Sequence, residues 1–284
     1  MIILKDKPGQ LCNRLWAFSP FISEALENNT KIKILHFYDY YNYFEDLNTF
    51  KSVSFIKNKK ALILYNLLFK ILNKIPYKFL SHLGIIYDSQ NYITEANQNN
   101  KLHLINGWSQ KKPNKQLKLT DLQKLFRPKD IYANRVDNIF SKKRKVNDLI
   151  IGVHIRRGDY KDYRGGKYYY SDLTIINFIL QIINEFDKNK KLTFLLCSNE
   201  KINIKAYNDV PVFQINNANL IEDLYGLSKC DYIIGPPSTF SMWASFYGQK
   251  PLYFLKESTS VIKKDNFSII SKQNHFKNGH IFSH

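Results

Sequence analysis

The sequence predicts an α/β protein with parallel sheets in two halves, and three observations carry that prediction. Short β-branched runs alternate with helical patterns towards both ends of the chain, the order produced by parallel strands joined through crossover helices. A length of 284 residues exceeds one ordinary domain of about 100 to 200 residues and suits two. The basic stretch Ser141-Lys-Lys-Arg-Lys-Val-Asn-Asp148 interrupts the periodicity between the halves, which places the expected domains at residues 1–145 and 146–284.

In the first half, Ile2–Leu4 reads as a strand, Pro8-Gly9-Gln10 as a turn, Asn13–Glu27 as a helix and Lys31–Phe37 as a second strand. The stretch 38–118 is aromatic and rich in Lys and Asn, with a strand expected at Leu102–Asn106. Within Ala61–Tyr77, Asn66, Lys70, Asn73 and Tyr77 recur at steps of three and four, leaving Leu62, Leu64, Leu68, Ile71, Leu72 and Ile75 around the remaining surface. That pattern predicts an amphipathic helix with a broad apolar face. Packing on the chain's own core is the first reading of that face; a membrane interface, flanked by Lys74 and Lys78, is the second.

In the second half the alternation is clearer. Strands are expected at Leu149–His154, Leu192–Cys197, Tyr232–Ile234 and Leu252–Leu255, and helices at Asp172–Phe186, Asn219–Lys229 and Ser238–Tyr247. Ser171 is placed to cap the first of these helices, and Gly248 to end the last in the left-handed conformation. The whole reads as a doubly wound domain, in which ligands bind beyond the carboxyl ends of the strands.

Composition narrows the class. With 44% hydrophobic and 15% aromatic residues against 11 Gly and 9 Pro, the chain is neither disordered nor collagen-like. The net charge of +18 favours an anionic partner, whether nucleic acid, acidic membrane or phosphorylated ligand, although biased codon usage explains an Asn-, Lys- and Ile-rich sequence equally well. Cys12, Cys197 and Cys230 form no Cys-x-x-Cys pair, and no His cluster has metal spacing, so a reduced cytoplasmic setting is expected. The opening Met-Ile-Ile-Leu-Lys-Asp does not read as a signal peptide. The uncharged apolar stretch Ala61–Phe69 falls short of the roughly 18 to 20 residues that cross a bilayer.

Four segments follow strands and carry chemistry. His154-Ile-Arg156-Arg157-Gly-Asp159 ends a buried-looking strand with two guanidiniums, planar forks suited to a pyrophosphate; an Arg157–Asp159 ion pair bracing a domain edge is the structural alternative. Pro236-Pro237-Ser238-Thr239-Phe240-Ser241 opens a helix, where free amides and hydroxyls make an anion site, or where Ser238 simply caps. On Asn219–Ser228, Asp223 lies at the edge of the Leu220, Leu224 and Leu227 face while Glu222 points away. Asp223 is then either a guanine acceptor or a solvated first-turn acid. In the first half, Gly9-Gln-Leu-Cys-Asn13-Arg14 leads into a helix with an amide and a guanidinium. No Gly-x-Gly-x-x-Gly, Walker motif or Asp-x-Asp is present, which argues against a nicotinamide enzyme, a P-loop ATPase and a metal-held nucleotide.

The string His154-Ile-Arg156-Arg157-Gly-Asp159 resembles the His-x-Arg-Arg-x-Asp motif of the α1,2-/α1,6-/protein O-fucosyltransferase superfamily. Gly9–Arg14, Ile105-Asn-Gly-Trp108, Leu125-Phe-Arg-Pro128, Asp223-Leu-Tyr225 and Ser238-Thr-Phe-Ser241 resemble, in order, further elements of the α1,2-fucosyltransferases, glycosyltransferase family 11. The resemblance implies a GT-B fold, two Rossmann-like domains facing a cleft, with the donor in the second. It implies inverting transfer of L-fucose from GDP-fucose to a sugar hydroxyl, without metal or other cofactor. Arg156 would meet the β-phosphate, His154 and Asp223 the guanosine, and Ser238, Thr239 and Ser241 the phosphates, with Arg157 and Asp159 bracing the loop. Asn13, Arg14 and Trp108 would lie on the acceptor side. Cys12 and Arg14 stand where the family's loop has Gly and Gln, so acceptor and linkage are less defined than donor. The catalytic base is open among Asp159, His36 and Asp39.

The expected role is galactoside α1,2-fucosylation of an oligosaccharide or lipid-linked glycan for lipopolysaccharide or O-antigen, in the cytoplasm with peripheral contact at the inner membrane face. A related GT-B enzyme using another nucleotide sugar is the nearest alternative. A nucleic-acid-binding protein is the alternative of another class, supplied with charge, 19 Tyr and 20 Phe but with no recognised binding motif.

Overall fold

A computed structural model describes residues 1–87, 101–108, 116–186 and 189–271, with the backbone of 276–277 and 280–281. The chain divides into two compact units, Met1–Lys129 and Asp130–His284.

The first unit holds a five-stranded parallel sheet of β1 (Ile2–Leu4), β2 (Ile32–Ile34), β3 (Val53–Phe55), β4 (Ile85–Tyr87) and β5 (Leu102–Ile105), in the order β3-β2-β1-β5-β4. Helix α1 (Leu11–Glu27) follows β1 and is buried along most of its length, with Trp16, Phe18 and Phe21 in the core. Helix α2 (Lys59–Leu72) is shorter than the expected 61–77. Asn73 closes it, Pro76 follows and α3 (Tyr77–His82) restarts the chain, because proline cannot continue a helix. Helix α4 (Leu119–Leu125) delivers Phe126 to an aromatic cluster with Phe37, Phe44 and Phe55.

The second unit contains α5 (Asp130–Lys143), β6 (Leu149–Ile155), α6 (Asp172–Glu185), β7 (Leu192–Ser198), β8 (Val212–Phe213), α7 (Leu220–Lys229), β9 (Tyr232–Gly235), α8 (Thr239–Gly248) and β10 (Leu252–Phe254). Its parallel sheet runs β10-β9-β6-β7-β8, the doubly wound order with its reversal between β6 and β9. Ile151, Val153, Phe178, Ile182, Phe194 and Ile234 form its core, and the Ser171 hydroxyl caps α6 as expected, accepting from the Thr174 amide.

Two further expectations change. The division falls before α5 rather than after it, since α5 is tied to α7 and its flank by Arg135–Glu222 (2.7 Å), Lys229–Asp137 (2.9 Å) and Arg144–Asp231 (2.9 Å). Gly248 is the last helical residue and Gln249 takes the left-handed position at φ 52°. A Cβ on Gly248 would sit 2.1 Å from the Ser228 carbonyl oxygen, so this glycine lets α7 and α8 approach and is not the turn.

Candidate active site

The strand order reverses between β6 and β9, the point beyond whose carboxyl ends open sheets take ligands, and His154, the arginine loop and the start of α8 lie together there. His154 is the penultimate residue of β6 and is 3% exposed. Its ring packs tilted on Phe240 at 5.1 Å, and its backbone and Cβ would lie 2.9 Å from any Cβ on Gly235. Only glycine fits at that point of β9. Burial, with help from the Arg156 charge, pushes the imidazole down to about 3, so it is neutral at physiological pH. Its Nδ1 has no hydrogen-bond partner among the described residues.

Just past β6 the two arginines separate in role. Arg156 grips both oxygens of Asp159, Nε to Oδ1 and Nη2 to Oδ2, each at 3.0 Å, and its guanidinium lies 5.5 Å over the Tyr160 ring. The Tyr160 hydroxyl donates to the Pro237 carbonyl at 2.8 Å, which fastens the arginine loop to the turn before α8. Burial raises that phenol to about 12, so it stays a donor. Arg157 instead pairs with Asp172 of α6, whose carboxylate also accepts from the Tyr207 hydroxyl at 2.6 Å. The Arg157 amide donates to Asn199 Oδ1 at 2.7 Å, and Asn199 Nδ2 donates back to its carbonyl at 3.0 Å. Gly158 supplies the turn with φ +60°.

Against this loop and His154 packs the start of α8. Ser238 caps it, accepting from the Phe240 amide at 3.3 Å. Thr239 is half-buried. Ser241 is fully buried and donates to the Ser238 carbonyl at 3.2 Å, so its hydroxyl is turned into the helix rather than presented to a ligand. The anion-binding capacity of this end therefore lies in its first-turn amides and dipole.

Asp223 sits in the first turn of α7 beside Cys197, whose thiol lies 3.8 Å from the Asp223 carbonyl. Desolvation pushes the Asp223 carboxyl up to about 7, against the thiol contact that lowers it and with the Glu222 charge that raises it. It is thus not the solvated acid of the simpler reading. Glu222, expected to point away, is buried: it closes a capping box with Asn219 and pairs with Arg135 at 2.7 Å. An ion-pair partner on α5 overrides the outward placement that helical spacing gives.

In the first unit a second cluster lies past β1, β2 and β5. Asp6 accepts from the Gly107 and Trp108 amides, both at 2.8 Å, and Trp108 is exposed. Asn13 folds over Gly9, where a Cβ would meet its amide nitrogen at 2.2 Å. Arg14 is 2% exposed. It donates to the His36 carbonyl at 2.9 Å and to Asp39 at 3.0 Å, and stacks over Tyr40 at 4.7 Å. Arg14 therefore braces the 36–40 loop, and its guanidinium is not presented to a ligand. Burial and the Arg14 and Lys7 charges lower His36, whose Nδ1 has no hydrogen-bond partner among the described residues. Among those residues no three His, Cys, Asp or Glu side chains gather as a metal site, and no helix is long and apolar enough to cross a membrane.

With both clusters at strand ends, the comparison with known proteins becomes specific. The sequence profile of glycosyl transferase family 11 matches residues 8–282. The chain belongs to glycosyl transferase family 11. No curated protein matches the sequence of this family-11 chain directly. Its fold is similar to that of the NodZ α1,6-fucosyltransferase soaked with GDP-fucose, at TM-score 0.58 and 14% identity over 95% of this chain and 99% of that one; NodZ comes from Bradyrhizobium. It is also similar to an Arabidopsis thaliana FUT1 mutant in complex with GDP, at TM-score 0.55 and 11% identity over 94% of this chain and 73% of that one. POFUT1 in complex with GDP-fucose gives TM-score 0.53 and 11% identity over 89% and 96%. The family-11 chain thus has the GT-B fold, with one Rossmann-like sheet in each unit.

Nothing in the sequence pattern marks Tyr160, Phe240 or Asp172 as the groups that hold the arginines and the histidine in place. Asn199 directly follows β7, and that position is the one hint the sequence offers of its role.

Proposed function

We propose that this protein transfers L-fucose from GDP-fucose to a sugar hydroxyl with inversion. The observation that carries this reading is the convergence of Arg156, neutral His154 and the first turn of α8 at the β6/β9 reversal, in a fold similar to enzymes solved with GDP or GDP-fucose. Arg156 exchanges its exposed partner Asp159 for the β-phosphate, as a guanidinium fork suits two phosphate oxygens. The α8 amides near Ser238 and Thr239 receive the rest of the diphosphate, and Asp223 with His154 holds the guanosine end. Arg157, fixed on Asp172, keeps the loop in register.

The acceptor oxygen attacks the anomeric carbon on the face opposite the diphosphate. The C1–O bond breaks, GDP leaves with the electron pair, and the hydroxyl proton passes to a base. Arg156 and the helix end stabilise the charge gathering on GDP, which is where preorganised donors act most strongly. Asp39 is engaged by Arg14, and Asp159, released when Arg156 turns to the phosphate, stands in the loop that holds the departing diphosphate, whereas inversion needs the base on the opposite face. His36, a neutral imidazole with an unpartnered nitrogen among the described residues, is the better base. The first unit handles the acceptor, a galactoside of an oligosaccharide or lipid-linked glycan joined α1,2, in cytoplasmic synthesis of a surface glycan.

The test is a transfer assay with GDP-fucose, GDP-mannose and UDP-sugars over a galactoside panel, with chelator present throughout. Fucosyl product from GDP-fucose alone supports the reading, and His36→Asn then lowers turnover while leaving GDP affinity intact. Transfer from another sugar nucleotide in preference to GDP-fucose contradicts it.

A further inference from the structure

Helix α2 is apolar on both sides but buries only one. Leu62, Tyr65, Phe69 and Leu72 pack with Ile3, Leu35 and Leu104 on the first sheet, and Lys33 Nζ donates to the Tyr65 hydroxyl at 3.0 Å to hold that face down. On the other side Ile63, Leu64, Leu67, Leu68 and Ile71 are exposed, Leu64 to 68%. They fall at steps of one, three and four, a single broad stripe along the helix. After the Pro76 turn, α3 and the residue that follows it add Tyr77, Phe79 and Leu83, the last two 67% and 71% exposed. A helix apolar all round is normally one that something covers on every side, and exposed apolar patches of this kind mark interaction sites.

The charge around the stripe identifies what covers it. From Lys51 to Tyr87 the sequence has seven lysines and no Asp or Glu. Lys59, Lys60, Lys70, Lys74 and Lys78 are all exposed on or beside α2 and α3. A convex aliphatic stripe bordered by lysines, with Tyr and Phe at one end, has the composition of a helix lying in a bilayer interface, its lysines reaching the headgroups. The absence of acid from the whole segment matches an anionic leaflet. We propose that the outer face of α2 and α3 is a monotopic docking surface for an anionic phospholipid membrane. The inference rests on this surface alone and is independent of the donor assigned above.

The experiment is co-sedimentation of the full chain with phosphatidylcholine vesicles with and without about a quarter phosphatidylglycerol, at low salt and at about 1 M salt. The wild type is expected to bind the anionic vesicles and to retain part of that binding at high salt. The variant Leu64→Gln/Leu67→Gln/Ile71→Gln should bind at least about tenfold more weakly, while Val146→Gln, another exposed apolar site, should bind as the wild type does. GDP titration of the same proteins reports separately on the donor site. Unchanged binding by the triple variant would overturn the proposal. So would a wild type that ignores vesicles but self-associates through this face. Should the triple variant fail to fold, Leu67→Cys offers a second route, because Cys12, Cys197 and Cys230 are buried and a polarity-sensitive dye goes to position 67. A blue shift on adding anionic vesicles supports the proposal, and an unshifted spectrum rejects it.

Discussion

Asp223 offers the sharpest residue-scale consequence. Its carboxyl is protonated below about 7 in the empty protein, whereas a guanine edge presents N–H donors that need a carboxylate acceptor. With guanine seated on Asp223 as proposed, binding releases a proton below that pH, so GDP affinity should rise about tenfold per unit up to pH 7 and level off above it. Calorimetry across pH 5.5 to 8.5, a range that brackets this value by about one and a half units, checks the slope, and Asp223→Asn should flatten it while weakening binding. His154, already neutral above about 3, adds nothing to that slope. Its effect is on folding: the unfolded imidazole takes a proton below about 6.5 that the folded one refuses, so it lowers stability as pH falls from there towards 3. Arg14 shows how residue type without burial misleads. The same guanidinium that reads as a ligand group is consumed by His36, Asp39 and Tyr40. Arg14→Leu should cost about 2 kcal/mol of stability, seen as a lower Tm, with GDP affinity unchanged.

Elements were legible where local chemistry decides them. Continuous apolar runs and period-3.6 patterns locate β6, β7, β9, β10, α6, α7 and α8 to within a residue or two, because burial on both faces of a parallel sheet leaves continuous apolar strands; the two-residue β8 and helix α5 give no such signal and are not among the expected elements. What local pattern cannot carry is a partner distant in the chain. The Arg135–Glu222, Lys229–Asp137 and Arg144–Asp231 pairs take α5 into the second unit and bury Glu222, and none is visible as spacing. Gly248 has the same origin: its role is the approach to Ser228, 20 residues earlier in the sequence. Gly248→Ala should lower stability by about 1–3 kcal/mol through overpacking, although alanine is the better helix former by about 1 kcal/mol. A thermal melt decides which effect wins; a raised Tm would mean that α7 and α8 shift apart freely.

For the whole molecule, two doubly wound units each place a polar cluster at the point where strand order reverses, β1/β5 in the first and β6/β9 in the second. That is where open α/β sheets take ligands, and it turns a motif in a string into a constellation. The +18 charge acquires two local meanings, guanidiniums at one strand end and a lysine border around α2. The first is central. Titrating GDP into the wild type, Arg156→Ala and the surface control Lys142→Ala by calorimetry tests it most directly. Wild type and control should both bind, and Arg156→Ala should lose at least about a hundredfold, as a charge-assisted bidentate contact worth about 3 kcal/mol disappears. Full-strength GDP binding by a folded Arg156→Ala protein would mean that the diphosphate is held elsewhere than at the end of β6.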